Sequence, residues 1–385
     1  MKVSCLNKIS KVGLNLLPEN YEIVDAEDTK VDAILVRSAA MHDMELDPQV
    51  LAVARAGAGV NNIPLDKFAE KGVVVFNTPG ANANAVKELV ISSLLTASRN
   101  VIAANKWVID NKDDANIAKT QEKAKAQFAG TEIMGKTIGV IGLGAIGVLV
   151  ANACISLGMD VIGYDPYLSV ENARNLDHNV KYTVSLDDIY ASSDYITIHV
   201  PLLDSTRGMI NKESIAKMKD GVVLLNYARD VLANEADVKE ALEAGKVKAY
   251  MTDFANPTSV TMKNAIVTPH LGASTEEAED NCAKMAVNEI VDFIENGNIK
   301  NSVNYPACSL GVCKTEGRVS VCHKNIAGLI NKMTELFASK NINICDMVSK
   351  SRGDYAYTIF DIDGKVTSVE TLTKTEGVLR ARIIK

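Results

Sequence analysis

The chain has 385 residues, 47% of them hydrophobic and 23% charged, with a formal net charge of −7. That length suits two or three domains, each able to bury a core of its own. The acidic balance argues against nucleic acid or an anionic membrane as partner, since both want basic surface, but a few clustered arginines still suffice to hold a phosphorylated small molecule.

Residues 1–10 carry no apolar stretch or cleavage signal, and no run reaches the roughly 20 apolar residues of a membrane span, so a cytoplasmic protein is expected. Seven cysteines, odd in number and without a C-x-x-C pair, read as reduced thiols, not as a disulfide framework or a zinc site; no metal is expected. Short apolar runs at 33–36, 51–54 and 73–76 read as a first set of strands. After the lone Trp107, the Lys- and Ala-rich stretch 111–127 reads as an exposed helix or an oligomer arm.

A second strand set follows at 138–141, 161–164, 195–199, 222–226 and 266–268, with an amphipathic helix over 235–244. Strand and helix in alternation predict parallel sheets covered on both faces. The first of these strands runs into Gly142-Leu143-Gly144-Ala145-Ile146-Gly147 and then a helical segment. Gly142 suits the tight turn, Gly144 lets a pyrophosphate approach the backbone, and Gly147 lets helix and strand pack closely. The helix N-terminus offers free N–H groups and a positive dipole end to phosphates. The next strand ends at Asp165, placed to accept hydrogen bonds from ribose hydroxyls and to repel a 2′-phosphate, which favours NAD over NADP.

Three strand-end residues carry candidate chemistry, since doubly wound sheets place their sites at strand C-termini. Arg229, after 222–226, can grip a planar carboxylate with two hydrogen bonds. His270, after 266–268, can shuttle a proton at neutral pH. His199, before Pro201, reads as a structural residue beside the cofactor.

A long helix is expected over 276–295 with Gly297 as its left-handed stop. Residues 298–311, with Pro306, Ser309 and Gly311, read as an interdomain linker. From 312 onward the predicted order is β-α-β-β-α-β, a ferredoxin-like module.

At Arg55-Ala56-Gly57-Ala58-Gly59-Val60-Asn61-Asn62-Ile63, Asn77-Thr78-Pro79-Gly80-Ala81-Asn82, the glycine turn, His199-Val200-Pro201-Leu202, 226–229 and 268–274, the sequence resembles the D-isomer-specific 2-hydroxyacid dehydrogenases. The motifs stand in family order over 33–300. The resemblance implies an α/β protein with two doubly wound parallel-sheet domains. One is a flavodoxin-like substrate-binding domain, 1–97 with 286–305; the other is a Rossmann NAD-binding domain, 98–285, with the active site in a cleft closed by hinge motion. It makes His270 the acid/base and Arg229 the carboxylate-binding residue. Asp253 falls near the nicotinamide amide, and Ala145, Ile146, Pro201, Thr206 and Ala228 along the cofactor. Backbone amides at Ala58, Gly59 and Val60 hold the substrate carboxylate, and Arg37 and Ser38, with Asn82 nearby, match the phosphoglycerate-type pair that contacts phosphate.

The implied reaction is NAD-dependent oxidation of 3-phosphoglycerate for serine biosynthesis. Glyoxylate or hydroxypyruvate reduction is the alternative on the same fold, and a catalytically weak NAD-sensing protein is a second. One departure stands out: Asn256 occupies the position where the family pairs a glutamate with the histidine. An asparagine can orient the ring but brings no charge, and another acid, or a different base such as Lys263, could fill the gap. Asp230 also replaces the usual glycine after the arginine. The 312–385 module resembles an ACT domain, in which His323, Asn325 and Asn343 match serine-binding positions; that implies a serine effector and a homodimer or homotetramer.

Overall fold

The computed structural model describes residues 1–26, 28 and 30–385. The chain forms two compact units, Met1–Asn82 with Glu276–Lys385, and Ala83–Thr275.

In the first unit, β1 (Lys2–Cys5), β2 (Glu22–Val24), β3 (Ala33–Val36), β4 (Ala52–Arg55) and β5 (Val74–Phe76) form a parallel sheet in the order β2-β1-β3-β4-β5. This is the flavodoxin-like order. Every residue of β3 and β5 is buried, as expected of parallel strands covered on both faces. One cover is the helix Glu276–Asn296, which buries Ala278, Cys282, Ala286, Val287, Ile290, Phe293 and Ile294 at helical spacing. The short helix Lys11–Leu14 lies so close to it that a Cβ on Gly13 would sit 2.5 Å from the Ala283 backbone, so only glycine fits there. Gly297 (φ +72°) ends the long helix as expected, its N–H donating to the Phe293 carbonyl at 3.0 Å.

The second unit holds β6 (Thr137–Ile141), β7 (Asp160–Tyr164), β8 (Lys181–Thr183), β9 (Tyr195–Ile198), β10 (Val222–Asn226), β11 (Val247–Thr252) and β12 (Ala265–Val267). All pair in parallel in the order β12-β11-β10-β9-β6-β7-β8. The chain reverses direction across this sheet between β6 and β9, which puts a ligand crevice at their C-terminal ends. The helix Ala83–Arg99 belongs to this unit, not to the first as the expected boundary at 97 would have it. Its buried Val86, Val90 and Leu94 join a cluster with Ile138, Val140, Val150 and Leu225. Within the expected exposed element over 111–127 lie the helix Ile117–Ala124 and the start of a 3-10 turn at Lys125–Phe128, after a separate helix, Val101–Asp110; none of the three has a buried residue.

The C-terminal strands β13 (Gly317–Lys324), β14 (Ile344–Arg352), β15 (Tyr355–Ile362) and β16 (Val378–Ile383) form an antiparallel sheet in the order β14-β15-β13-β16. With helices Leu329–Ser339 and Glu370–Thr373 this is the expected ferredoxin-like topology. The expected third module has a core of its own, with Val319, Val321, Met333, Phe337 and Phe360, and also packs on the rest of the first unit. Cys322, Tyr357 and Ile359 share one hydrophobic cluster with Phe293, Tyr305 and Cys308, so this sheet is part of the first unit.

The segment expected to be a linker is packed into the first unit over much of its length, though Lys300, Ala307, Ser309 and Gly311 stay exposed. Ile299 is 1% and Tyr305 0% exposed. The Asn304 side chain accepts from Val75 N–H (2.9 Å) and donates to Val73 O (2.9 Å), standing in for the missing neighbour of edge strand β5. Arg318, fully buried, donates from Nε to Asp361 Oδ1 (2.5 Å) and from Nη2 to Oδ2 (2.8 Å). Its Nη1 satisfies the carbonyls of Asn296 and Gly311, at a helix end and at the end of that same segment. No helix among the described residues is long and apolar enough to cross a membrane.

Candidate active site

In the second unit the glycine turn follows β6. Gly142 takes φ +93°, and a Cβ there would meet the His199 carbonyl oxygen at 2.6 Å. A Cβ on Gly147 would sit 1.8 Å from Gly142 O, so the helix Ala145–Ser156 can start this close to the turn only with glycine there. A Cβ on Gly144, by contrast, would meet nothing within 4 Å, and the helix has no side-chain cap. The backbone is therefore open to an anion where the first-turn N–H groups of Ala145 and Ile146 point outward. Gly147→Ala is expected to push the helix off the turn, weakening NAD binding and destabilising the fold by about 1–3 kcal/mol. Cofactor titration and a thermal melt check this; a variant with unchanged affinity and melting would refute the packing argument.

Asp165 follows β7. Its Oδ2 accepts from Leu143 N–H (2.9 Å) and its Oδ1 from Tyr167 N–H (2.8 Å), so the carboxylate braces the glycine turn and still has lone pairs to offer. His199 holds Thr197 Oγ1 with Nε2 (2.9 Å), and its Nδ1 is buried without a partner. Burial pushes its imidazolium down to about 3, so the ring is neutral. An orphaned ring nitrogen beside an open phosphate cradle fits a bound dinucleotide. Thr206 spends its hydroxyl on its own loop, donating to Pro201 O (2.7 Å) and accepting from Leu203 N–H (2.9 Å).

The ends of β10, β11 and β12 bring the expected chemistry together around Asp253. This residue is 1% exposed. Its Oδ2 accepts from Gly272 N–H (2.8 Å), its carbonyl accepts from His270 N–H (2.8 Å), and its Oδ1 is buried without a partner. Burial pushes the Asp253 carboxyl up, partly offset by the Gly272 amide and by the positive charges of His270 and Arg229. His270 is exposed, in a left-handed conformation (φ +50°), with its ring edge-on to Phe254 at 5.2 Å. Positive φ is uncommon for a residue other than glycine, and it marks a backbone bent to aim its side chain. Arg229 is half-buried after Ala228, and Asn226 Nδ2 donates to the Arg229 carbonyl (2.9 Å), fixing the turn.

Asn256 does not orient His270. Its Oδ1 accepts from the N–H groups of Thr258 and Ser259 (2.9 Å each), and its Nδ2 donates to Glu235 Oε1 (2.7 Å). It is a turn residue, an Asx cap on the 259–261 turn, with its side-chain bonds made to Thr258, Ser259 and Glu235 and none to the imidazole. The acidic residue bonded to His270 is Asp253, whose carbonyl accepts from the His270 N–H (2.8 Å).

In the first unit, Arg37 and Ser38 follow β3. The N–H groups of Arg37, Ser38 and Ala39 all donate to Asn7 Oδ1 (3.1, 3.0 and 2.9 Å), and Arg37 Nη1 pairs with Glu279 at 2.7 Å. The amides of this loop are therefore already used, and the Arg37 side chain already has a carboxylate partner. Arg55, missed as a site candidate, ends β4 and donates from Nε to Arg37 O (3.1 Å). A Cβ on Gly57 would meet the Arg55 guanidinium at 2.3 Å, so this glycine makes room for it. The Ala58–Val60 loop follows, tethered by Asn77 Nδ2 to Ala58 O (2.6 Å), and Asn82 is half-buried. The signal for Arg55 was its place directly ahead of a glycine loop at a strand end.

In the C-terminal sheet, His323 is 3% exposed with both ring nitrogens engaged, by Lys324 O and Thr358 Oγ1 (2.8 Å each). Asn325 Nδ2 donates to Gly353 O (3.1 Å), and Asn343 N–H donates to Asp363 Oδ1 (2.8 Å). The three do not form one open cluster of free donors.

Comparison with known proteins bears on this geometry. Residues 91–272 match the model of the D-isomer specific 2-hydroxyacid dehydrogenase NAD binding domain. The chain is 37% identical to D-3-phosphoglycerate dehydrogenase of Archaeoglobus fulgidus over 76% of its own length and 53% of that protein's. It is 32% identical to the D-3-phosphoglycerate dehydrogenase of Haemophilus influenzae over 89% of this chain and 83% of that one. An NAD⁺-bound 3-phosphoglycerate dehydrogenase structure from Entamoeba histolytica superposes with a TM-score of 0.61 at 25% identity, covering 79% of this chain and 98% of that one. The chain spans about half the length of several of the curated relatives it matches, 53% and 47% in two cases.

Proposed function

The chain belongs to the D-isomer-specific 2-hydroxyacid dehydrogenases, with NAD as cofactor, and from that premise we propose that it oxidises 3-phosphoglycerate to 3-phosphohydroxypyruvate, the first step of serine biosynthesis. The observation that carries the reading is the grouping of His270 and Arg229 around the buried Asp253 at the ends of three adjacent strands. Bound NAD⁺ supplies the hydride acceptor for the carbon bearing the hydroxyl.

The residues divide the remaining work. The His270 imidazole takes the hydroxyl proton as the hydride departs. The Arg229 guanidinium grips the substrate carboxylate and polarises the reacting oxygen. Asp253 Oδ1, buried and unpartnered, is an acceptor for the nicotinamide amide N–H. Its charge also steadies the imidazolium formed at His270, the task for which Asn256 brings no charge. In the first unit the N–H groups of Ala58–Val60 hold the carboxylate, and Arg37, with Ser38, takes the phosphate once Glu279 is displaced from it.

Arg37→Ala tests the substrate. It is expected to raise KM for 3-phosphoglycerate by about 10–100-fold, or 1–3 kcal/mol of charged hydrogen bonding, with kcat nearly unchanged. Unchanged kinetics would favour the reductase acting on glyoxylate or hydroxypyruvate, which carry no phosphate; the engagement of Arg37 by Glu279 is the observation on that side.

The ferredoxin-like module fits an ACT-like regulatory role. A serine effector there would have to compete with the internal bonds of His323, Asn325 and Asn343. The exposed helix Val101–Asp110 carries Val101, Ile102, Val108 and Ile109 at 51–57% exposure, a face suited to a homodimer or homotetramer contact. A cytoplasmic location completes the reading.

A further inference from the structure

We propose that the first unit carries a second small-molecule site, a polar cavity that binds a free α-amino acid. The cavity has a volume of about 650 Å³ and is lined by the Glu276–Asn296 helix, the Gly80-Ala81 turn and residues 298–301. None of its lining residues takes part in the chemistry proposed above.

Its floor is an incompletely satisfied carboxyl. Glu289 is 7% exposed; its Oε1 accepts from Asn301 Nδ2 at 2.5 Å, and its Oε2 is buried without a partner. A buried carboxyl oxygen left this way costs free energy unless something donates to it. Burial pushes Glu289 up to about 7, so an approaching cation can still recruit its charge. Lys284 and Lys300 line the same cavity and make no ion pair or hydrogen bond among the described residues, and the charge of Lys300 acts on Glu289. Asn281 and Asn288 add side-chain amides that are likewise uncommitted. Asp292, also lining the cavity, is already held by Asn296 and Asn298.

The donors and acceptors specify the ligand class. Glu289 wants a donor, best an ammonium, and the two lysines want an anion. Inorganic phosphate would satisfy the lysines and set an anion against Glu289. A neutral sugar would satisfy Glu289 and leave two ammonium groups unpaired. A molecule bearing an ammonium beside a carboxylate satisfies both, and the asparagines suit a polar side chain. The volume lies in the usual range for small-molecule pockets, with room for waters around the ligand.

Isothermal titration of the full chain with the free L-amino acids tests this, using sodium acetate, methylammonium chloride and sodium phosphate as partial ligands. At least one amino acid is expected to bind, with no comparable heat from acetate, methylammonium or phosphate. Glu289→Gln, which keeps an acceptor for Asn301, and Lys300→Ala, an exposed position, should each weaken it by about tenfold or more, the scale of one charged hydrogen bond. Both variants should keep the wild-type melting temperature and basal dehydrogenase turnover. Should Glu289→Gln melt early, Lys300→Ala alone decides. The proposal is overturned if no amino acid binds, if binding is unaffected by these substitutions, or if phosphate alone binds and responds to them.

Discussion

Replacing His270 with asparagine lowers kcat by about 10²–10⁴-fold while KM for substrate stays within a few-fold. The choice of asparagine follows from the backbone. His270 sits at φ +50°, and asparagine tolerates that left-handed conformation better than most residues, so the loop should survive. What is lost is a group that can accept and return a proton, because an amide hydrogen-bonds but does not titrate near neutrality. The deficit should appear in kcat, since the proton moves in the transition state and contributes little to ground-state binding. Steady-state kinetics of reduced-cofactor formation measure it. A variant retaining most of its kcat would transfer the proton to another group, with Lys263, exposed beside the left-handed Asn264, the first to test.

The second large effect is on stability. Arg318→Met is expected to destabilise the chain by about 3–5 kcal/mol, because Asp361 would keep a buried charge with its cationic partner gone. The carbonyls of Asn296 and Gly311 lose their donor as well. Arg318 is 0% exposed and Asp361 6%, so water offers little compensation. The effect should spread beyond the C-terminal sheet, since that sheet and the first parallel sheet share one core through Tyr357, Phe293 and Tyr305. Pairing Arg318→Met with Asp361→Leu should recover much of the loss, as replacing both ions with apolar groups removes the uncompensated charge. Chemical and thermal denaturation decide it; a loss below about 1 kcal/mol in the single variant would mean the pair is not desolvated as described.

What was legible in the sequence was what local pattern encodes. The glycine turn reads correctly because each glycine answers to a steric demand: left-handed backbone at Gly142, open approach at Gly144, helix contact at Gly147. The buried strands at 33–36 and 222–226 read as apolar runs. The short strands β1, β2 and β8 went unread, being three or four residues long with a charged residue at their start, and so did the longer β11, whose apolar run is broken by Lys248. Other misses share one cause, a polar side chain whose partner is distant in sequence. Asn304 looked like linker and is a strand surrogate for β5; Asn7 looked unremarkable and occupies three loop amides. Arg318 pairs with Asp361 only because β13 and β15 align antiparallel in that register. Asn256 was readable in part, since Asn256-Pro257-Thr258-Ser259 is an Asx-turn pattern, and that local role is the one it plays.

Turnover with 3-phosphoglycerate tests the dehydrogenase assignment most directly. The intact chain, mixed with NAD⁺ and 3-phosphoglycerate at alkaline pH, should form reduced nicotinamide continuously, faster than with unphosphorylated 2-hydroxy acids such as glycerate or lactate. Absence of reduced cofactor with 3-phosphoglycerate and with every other 2-hydroxy acid, in a protein that still binds NAD, would contradict the dehydrogenase assignment and leave a cofactor-sensing protein in its place.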